Sequence, residues 1–228
     1  WTKGIRFFDT APGYKSDIYL GKFFYSNNLS KKANVFTKLP TLRIYNNFED
    51  KTKFFIENSL KKLNVEKIDT LFFHDPNDLK FILNNRTFFL NLKDLFPIKH
   101  LGFSIYNPKE LMFANKIKLS KTYQVPFNLL NQSFLNHSCN FEFHARSVFF
   151  QGLLLSERVK NNLKSKSLIS SHKKYFSYFK SIDINPIDYN FSFLKEKNDF
   201  KSYVIGVDSL DQLKIFCLKF NKNYKFKK

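Results

Sequence analysis

Short apolar runs alternate along the chain with segments in which apolar residues recur at a helical spacing. Seven of these runs are rich in β-branched and aromatic residues, as buried strands require. They are Ile5–Phe8, Val35–Thr37, Ile68–Phe73, His100–Phe103, Tyr123–Phe127, Phe141–Phe150 and Tyr203–Ile205. Several of them lack alternating polar residues, which favours parallel strands that are covered on both faces.

The segments between the runs predict helices. Ile56, Leu60 and Leu63 stand at i, i+4 and i+7 and form one apolar stripe. Further helices are predicted at Asp17–Tyr25, Pro108–Ile117 and Ser209–Leu218, whereas residues 156–199 show the vaguest pattern. Strands and helices thus alternate, so the class is α/β with a parallel sheet.

The number of strands and the chain length together favour a (β/α)₈ TIM barrel, which closes with eight strands and typically has about 250 residues. Seven units in 228 residues, beginning at Trp1, predict a single barrel domain over residues 1–228. In this interpretation strands 2–8 are present, and the first strand and most of the first helix are missing. A doubly wound sheet is the alternative, but the chain has neither a GxGxxG nor a GxxxxGK[ST] motif.

The composition adds a formal net charge of +19, from 38 basic and 19 acidic residues. Such a charge is typical of nucleic-acid or anionic-membrane binders. Apart from a short tail at 222–228, however, the basic residues are scattered, which argues against a nucleic-acid partner. The apolar runs are too short for a membrane span, and two cysteines exclude a disulfide scaffold. With no leader at the front, we expect a cytoplasmic protein.

Polar residues stand where the predicted strands end: Asp9, Lys38, His74 and Ser104 each follow an apolar run, and Tyr14 lies five residues after Asp9. In a parallel barrel all the carboxyl ends of the strands meet at one mouth, where active sites are built. The sequence therefore predicts that these side chains converge.

Asp, Lys, Tyr and His together suit the reduction of a carbonyl group. A nearby ammonium favours the phenolate form of a tyrosine and makes its hydroxyl a better acid, a carboxylate keeps that ammonium oriented, and an imidazole can bond the substrate oxygen. The result is a proton donor for a carbonyl oxygen, with hydride supplied by a nicotinamide cofactor. Each residue alone also has an ordinary structural explanation, and only their joint placement favours catalysis. No histidine or cysteine pair has the spacing of a metal site.

A family resemblance covers nearly the whole chain. Residues 4–14 (GIRFFDTAPGY) resemble the signature of the aldo-keto reductases, residues 35–38 their catalytic-lysine strand, and residues 59–76 and 98–104 the segments that follow. The resemblance implies reduction of a small carbonyl substrate without a metal. Carried over by position, it implies Tyr14 as general acid, Lys38 and Asp9 as its tuning pair, and His74 as the group that orients the carbonyl.

The resemblance also implies NADP as cofactor, with Ser104 and Gln124 holding the nicotinamide carboxamide. It gives Ser147, Gly206, Asp208 and Gln212 to the cofactor as well, and the segment 206–212 to its adenosine phosphate end. Residues 74–76 and 146–149 resemble family members associated with surface-polysaccharide or nucleotide-sugar pathways, which implies a sugar derivative as substrate. We expect a monomer or a weak oligomer.

The chain departs from the family pattern at Ile105, Arg146, Asp208 and Phe216. An acidic Asp208 would repel a 2′-phosphate and accept hydrogen bonds from a 2′-hydroxyl, which leaves NAD open beside NADP. These departures also leave open a catalytically impaired barrel that serves as a binding or regulatory module.

Overall fold

The computed structural model describes residues 1–157, 165–197 and 199–222, and at 138 and 139 the backbone alone. The chain forms two compact units, residues 1–125 with 139–143 and residues 126–138 with 144–228, which are described separately. Most of the predicted basic tail, residues 223–228, lies outside the described residues. The single domain over 1–228 stays a prediction.

Seven strands occur in the described part of the chain, as the apolar runs predict. Their bounds are β1 Phe7–Asp9, β2 Asn34–Leu39, β3 Ile68–Phe73, β4 Ile98–Ser104, β5 Thr122–Pro126, β6 Glu142–Arg146 and β7 Ser202–Tyr203. Within each unit the strand order follows the chain order. In the first unit β1 to β5 pair in parallel, each with the next, and in the second unit β6 pairs in parallel with β7.

Helices follow the strands, which gives the predicted α/β class. They are α1 Asp17–Ser26, α2 Phe48–Leu63, α3 Leu79–Asn84, α4 Arg86–Leu90, α5 Leu92–Leu95, α6 Pro108–Ile117, α7 Lys166–Ser181, α8 Pro186–Glu196 and α9 Leu210–Asn221. The prediction is exact for β3 and α6. It missed α3 to α5, and it left α7 and α8 inside the segment without a clear pattern.

One face of the first unit's sheet packs against helices. Val35 points to this face and lies in a buried cluster with Phe24 of α1 and Leu63 of α2, and Phe8 and Leu20 pack against the cluster. The stripe that predicts α2 is therefore its buried face. With one face covered in this way, the alternate residues of each strand are left for the opposite face.

A ring cluster forms the core of the second unit. Phe149, Phe191 and Phe216 contact one another with ring centroids 5.2–5.5 Å apart. Phe127 of the same unit contacts Phe200, with the ring centroids 4.2 Å apart. Phenylalanine rings thus form much of the core of this unit.

None of the helices in the described part of the chain combines the length and the apolar character that a membrane crossing needs.

Candidate active site

Strand register places Asp9, Lys38 and His74 on one face of the first unit's sheet. Asp9 pairs with Phe36, two residues before Lys38, and Lys38 pairs with Phe72, two residues before His74. Paired residues of parallel strands share a face, and so do residues two apart on one strand. The three side chains therefore project from the face opposite the helix-packed one.

The same register adds Ser104 and Gln124. Phe72 pairs with Gly102, two residues before Ser104, and Ser104 pairs with Gln124. Gly102 is required here, because a Cβ at this position would lie 2.6 Å from the Phe72 ring and 3.1 Å from the Thr122 carbonyl oxygen. Strands β1, β2, β4 and β5 and the residue after β3 thus supply five of the predicted site residues to one face.

A buried ion pair lies at the centre of this face. The Lys38 ammonium donates to Asp9 Oδ2 at 2.7 Å and to the Thr10 carbonyl oxygen at 3.0 Å. The exposed fractions of the Lys38 and Asp9 side chains are only 2% and 12%. A charge this deeply buried needs such a partner. Asp9 is therefore the predicted partner of the lysine and not a helix N-cap.

Tyr14 lies beside this pair. It ends a 3₁₀ turn, Pro12–Tyr14, that Pro12 begins and that the Tyr14 N–H closes by donating to the Ala11 carbonyl at 2.9 Å. The Lys38 ammonium lies 5.3 Å from the centroid of the Tyr14 ring. The tyrosine is 55% exposed, whereas the lysine is buried. The phenol ring is therefore open to solvent, while the ammonium beside it is enclosed by the protein.

The β1–α1 loop holds this turn through a hydroxyl and a carboxylate. The Thr10 N–H donates to the Phe36 carbonyl at 2.8 Å, and the Thr10 hydroxyl bonds both Ser16 and the buried carboxylate of Asp17. Asp17 begins α1, as the sequence predicts. Both ends of the segment that carries Tyr14 are therefore fixed.

Gln124, which is expected to hold the nicotinamide carboxamide, also makes a contact with Asp9 that was not expected. Its side-chain amide donates to Asp9 Oδ1 at 2.7 Å, so each Asp9 oxygen accepts one hydrogen bond, one from Lys38 and one from Gln124. Within the described part of the chain, the Gln124 side-chain oxygen and the Ser104 hydroxyl make no hydrogen bond. One acceptor and one donor thus remain for a carboxamide, which needs both, and the residues fit the nicotinamide end of the predicted cofactor.

The loops after β2 and β3 carry a second polar cluster, which sequence reasoning missed. Arg43 contacts Asp75 and Asp78, each at 2.7 Å. Burial alone would raise the pKa of the Asp75 carboxyl, but hydrogen bonds from Arg43, Asn77 and Thr41 lower that pKa to about 2. Bonding to the two carboxylates also raises the pKa of Arg43. The only sequence signal was local, an Asp two residues before an Asn in a turn.

The other four predicted cofactor residues lie in the second unit. Ser147 follows β6 with a φ of +56°, and its carbonyl accepts from the Asn128 side chain at 3.1 Å. Gly206 and Asp208 are exposed and precede α9. Gln212 N donates to the Ser209 hydroxyl at 3.1 Å, and the Gln212 side-chain oxygen accepts from Asp208 N at 2.7 Å. Ser209 is the N-cap of α9 and Gln212 bonds back to the residue before it, so the Gln212 oxygen already serves the start of α9.

Two of the departures from the family pattern are buried residues. Phe216 lies in the ring cluster of the second unit, and Ile105 is fully buried in the first. Both side chains serve the core, so neither position offers a polar group to a cofactor. No cluster of potential metal ligands occurs among the described residues.

Comparisons with known proteins agree with this architecture. The model of the Aldo/keto reductase family matches residues 2–223. The glycerol dehydrogenase from Gluconobacter oxydans has a similar structure, with a TM-score of 0.72 and 18% identity over 99% of this chain and 78% of that one. Two structures described as an aldo-keto reductase from Pseudomonas aeruginosa give TM-scores of 0.65 and 0.67 at 16% and 18% identity, over 95% of this chain and 77% of theirs. No curated protein matches the chain.

Proposed function

Since the chain belongs to the aldo/keto reductase family, whose members are oxidoreductases of small carbonyl compounds, we propose that it reduces an aldehyde or ketone with a nicotinamide cofactor. One observation carries the proposal. The Lys38 ammonium is bonded to Asp9 at 2.7 Å and lies 5.3 Å from the centroid of the exposed Tyr14 ring, and His74 follows the neighbouring strand on the same face.

In the proposed reaction Tyr14 is the general acid. When bound, the reduced cofactor supplies hydride to the carbonyl carbon. The Tyr14 hydroxyl gives its proton to the carbonyl oxygen, so the carbonyl becomes an alcohol and the tyrosine a phenolate. The Lys38 ammonium stabilises that phenolate, and Asp9 keeps Lys38 charged and in place. The phenolate regains a proton from solvent, which reaches the exposed ring.

His74 has the second role, that of orienting the substrate. Its backbone N–H donates to the Leu39 carbonyl at 3.2 Å, which fixes the start of the β3 loop against β2. An imidazole at this position can donate to the substrate oxygen and hold it towards Tyr14. Correct orientation of reacting groups contributes to rate even where it adds little to binding.

In the first unit, Ser104 and Gln124 would hold the nicotinamide carboxamide. In the second unit, the family resemblance assigns Ser147, Gly206, Asp208 and Gln212 to cofactor binding. Asp208 would present a carboxylate to the adenosine end, which suits a 2′-hydroxyl better than a 2′-phosphate. We therefore include NAD beside NADP and expect activity with both cofactors. The substrate is a small carbonyl compound, with sugar derivatives as the first class to test.

The deciding experiment replaces the proposed acid. Wild type and Tyr14→Phe are incubated with NADPH or NADH and a panel of aldehydes, including aldoses, and nicotinamide absorbance is followed. We expect turnover in wild type and a loss of at least about a hundredfold in the variant, because general acid catalysis contributes about 10²–10⁴. Tyr25→Phe is the matched control, since Tyr25 is also an exposed tyrosine. Equal activity of Tyr14→Phe and wild type would refute the mechanism.

A further inference from the structure

The loops that follow Lys38 and His74 are tied directly to each other. The β2 loop is residues 40–43 and the β3 loop is residues 74–78. Arg43 Nη1 donates to Asp75 Oδ2 and to Asp78 Oδ1, each at 2.7 Å. We call this set of contacts the loop clamp. It joins residues that are 32 and 35 positions apart in the sequence.

Neutral donors from the β2 loop reinforce the clamp. The Thr41 hydroxyl donates to Asp75 Oδ2 at 2.9 Å, and the Leu42 N–H donates to Asp78 Oδ2 at 2.7 Å. The other Asp75 oxygen accepts from the backbone and the side chain of Asn77, at 3.0 and 2.9 Å. Both carboxylates therefore use both of their oxygens.

The clamp is also partly removed from water. The Asp78 side chain is 3% exposed, whereas that of Arg43 is 39% exposed. A buried carboxylate that loses its partner costs far more free energy than an exposed one, so the two loops are held strongly in this arrangement. Because its hydrogen bonds lower the pKa of Asp75 to about 2, this carboxylate stays ionised at the pH of any ordinary assay.

The clamp acts next to the proposed carbonyl-orienting group. Asp75 directly follows His74, and the His74 N–H donates to the Leu39 carbonyl at 3.2 Å. The His74 residue is thus fixed on its amino side by the β2 backbone and on its carboxyl side by the clamp. A shift of Asp75 would turn the peptide that follows His74 and so move the imidazole.

We propose that Arg43 is a positioning residue that sets the His74 imidazole relative to Lys38 and Tyr14. This inference rests on the proposed function, because it assigns Arg43 a role in the same reaction. Arg43 need not touch the substrate, since it acts through Asp75. The competing explanation is that the clamp contributes only to stability, as any ion pair with a buried carboxylate would.

A second ion pair in the same unit separates these two explanations. Lys99 Nζ lies 3.4 Å from Asp69 Oδ2, and the Asp69 carboxylate is 8% exposed. Asp69 lies near the start of β3, whereas His74 follows the end of the same strand. Lys99→Met therefore removes the cation from a buried carboxylate without touching the loops at the site.

The experiment compares Arg43→Met, Arg43→Lys and Lys99→Met with wild type. We expect kcat to fall about tenfold or more in Arg43→Met, because small misplacements of reacting groups are that costly, with cofactor Kd changed less than twofold. Arg43→Lys should recover most of kcat, since a single nitrogen makes both contacts in the clamp. Lys99→Met should lower the melting temperature and leave kcat within twofold. An unchanged kcat in Arg43→Met, or an equal loss in Lys99→Met, would overturn the proposal.

A second readout does not depend on turnover. Amide hydrogen exchange of the His74 N–H should become faster in Arg43→Met and stay at the wild-type rate in Lys99→Met. Thr41→Val, which removes one hydrogen bond of the clamp, should also make exchange of the His74 N–H faster. This variant replaces Arg43→Met in the experiment if Arg43→Met does not fold. If wild type shows no carbonyl reduction, the proposed function fails and the clamp is decided by exchange alone. Unchanged protection of His74 would then refute it.

Discussion

At the scale of single residues, the sequence correctly brought Asp9, Tyr14 and Lys38 together, because each stands at or just after the end of a parallel strand. It could not predict the contact between Gln124 and Asp9, which joins residues 115 positions apart. That contact depends on the register of five strands, and register is a property of the folded sheet. The same reason hid the clamp between Arg43 and Asp78.

Replacing either Lys38 or Asp9 alone should destabilise the protein strongly, whereas replacing both should cost less than the two single changes together. Lys38→Met strands a carboxylate and Asp9→Asn strands an ammonium, and each should lower the free energy of unfolding by about 3–5 kcal/mol because the remaining charge is buried. The double variant should lose less than the sum of the two. Urea denaturation of all four proteins measures this coupling.

The matched control for this cycle is a surface pair. Lys31 lies 3.3 Å from Glu66, and both side chains are more than half exposed. Lys31→Met should change the free energy of unfolding by less than about 1 kcal/mol, because solvent screens exposed pairs. If Lys38→Met lowered the free energy of unfolding no more than Lys31→Met does, the pair of Lys38 and Asp9 would contribute little to stability.

At the scale of elements, a strong apolar periodicity was enough to predict a helix, whereas a run of apolar residues without a clear period was not enough to predict where a strand ends. The stripe of Ile56, Leu60 and Leu63 predicts α2, and Pro108 marks the first turn of α6. The predicted strand Phe141–Phe150 is too long: β6 ends at Arg146, and Ser147 takes a left-handed φ. Beyond that point Phe149 belongs to the ring cluster, and periodicity alone cannot distinguish such a core residue from one in a strand.

Contact between α1 and α2 sets a requirement that no sequence pattern reveals. A Cβ on Gly21 of α1 would lie 2.0 Å from the Lys62 carbonyl oxygen of α2. Gly21→Ala should lower the free energy of unfolding by about 1–3 kcal/mol, because a backbone carbonyl cannot move aside. This loss should appear although alanine is the better helix former by about 1 kcal/mol.

Gly13 offers the comparison for this substitution. A Cβ there would meet no atom within 4 Å, and its backbone needs no positive φ. Thermal melts of Gly13→Ala should differ little from wild type, by no more than about 0.5 kcal/mol. Equal melting temperatures for the two alanine variants would show that α1 is not packed as closely on α2 as the structure has it.

At the scale of the whole molecule, the fold class and the strand order could be predicted from the sequence, because a chain with seven alternating units has few arrangements that bury all its strands. An eighth strand before Trp1 stays a prediction, as do the cytoplasmic location and the weak or absent oligomerisation. The net charge of +19 did not help to locate a binding site, because scattered lysines create a positive field around the molecule and do not mark one pocket.

That field should still act on a phosphate-bearing cofactor. NADPH carries one phosphate more than NADH, so its association with a chain of charge +19 should be the faster one and should fall more steeply with salt. Screening lengths shorten from about 30 Å at 0.01 M to about 10 Å at 0.1 M ionic strength, which brackets the useful range. Stopped-flow association of both cofactors across this range, with KM of an uncharged aldehyde as control, measures the effect. Equal salt slopes for the two cofactors would mean that the positive charge lies too far from the candidate active site to attract them. The charge would then be a matter of composition alone.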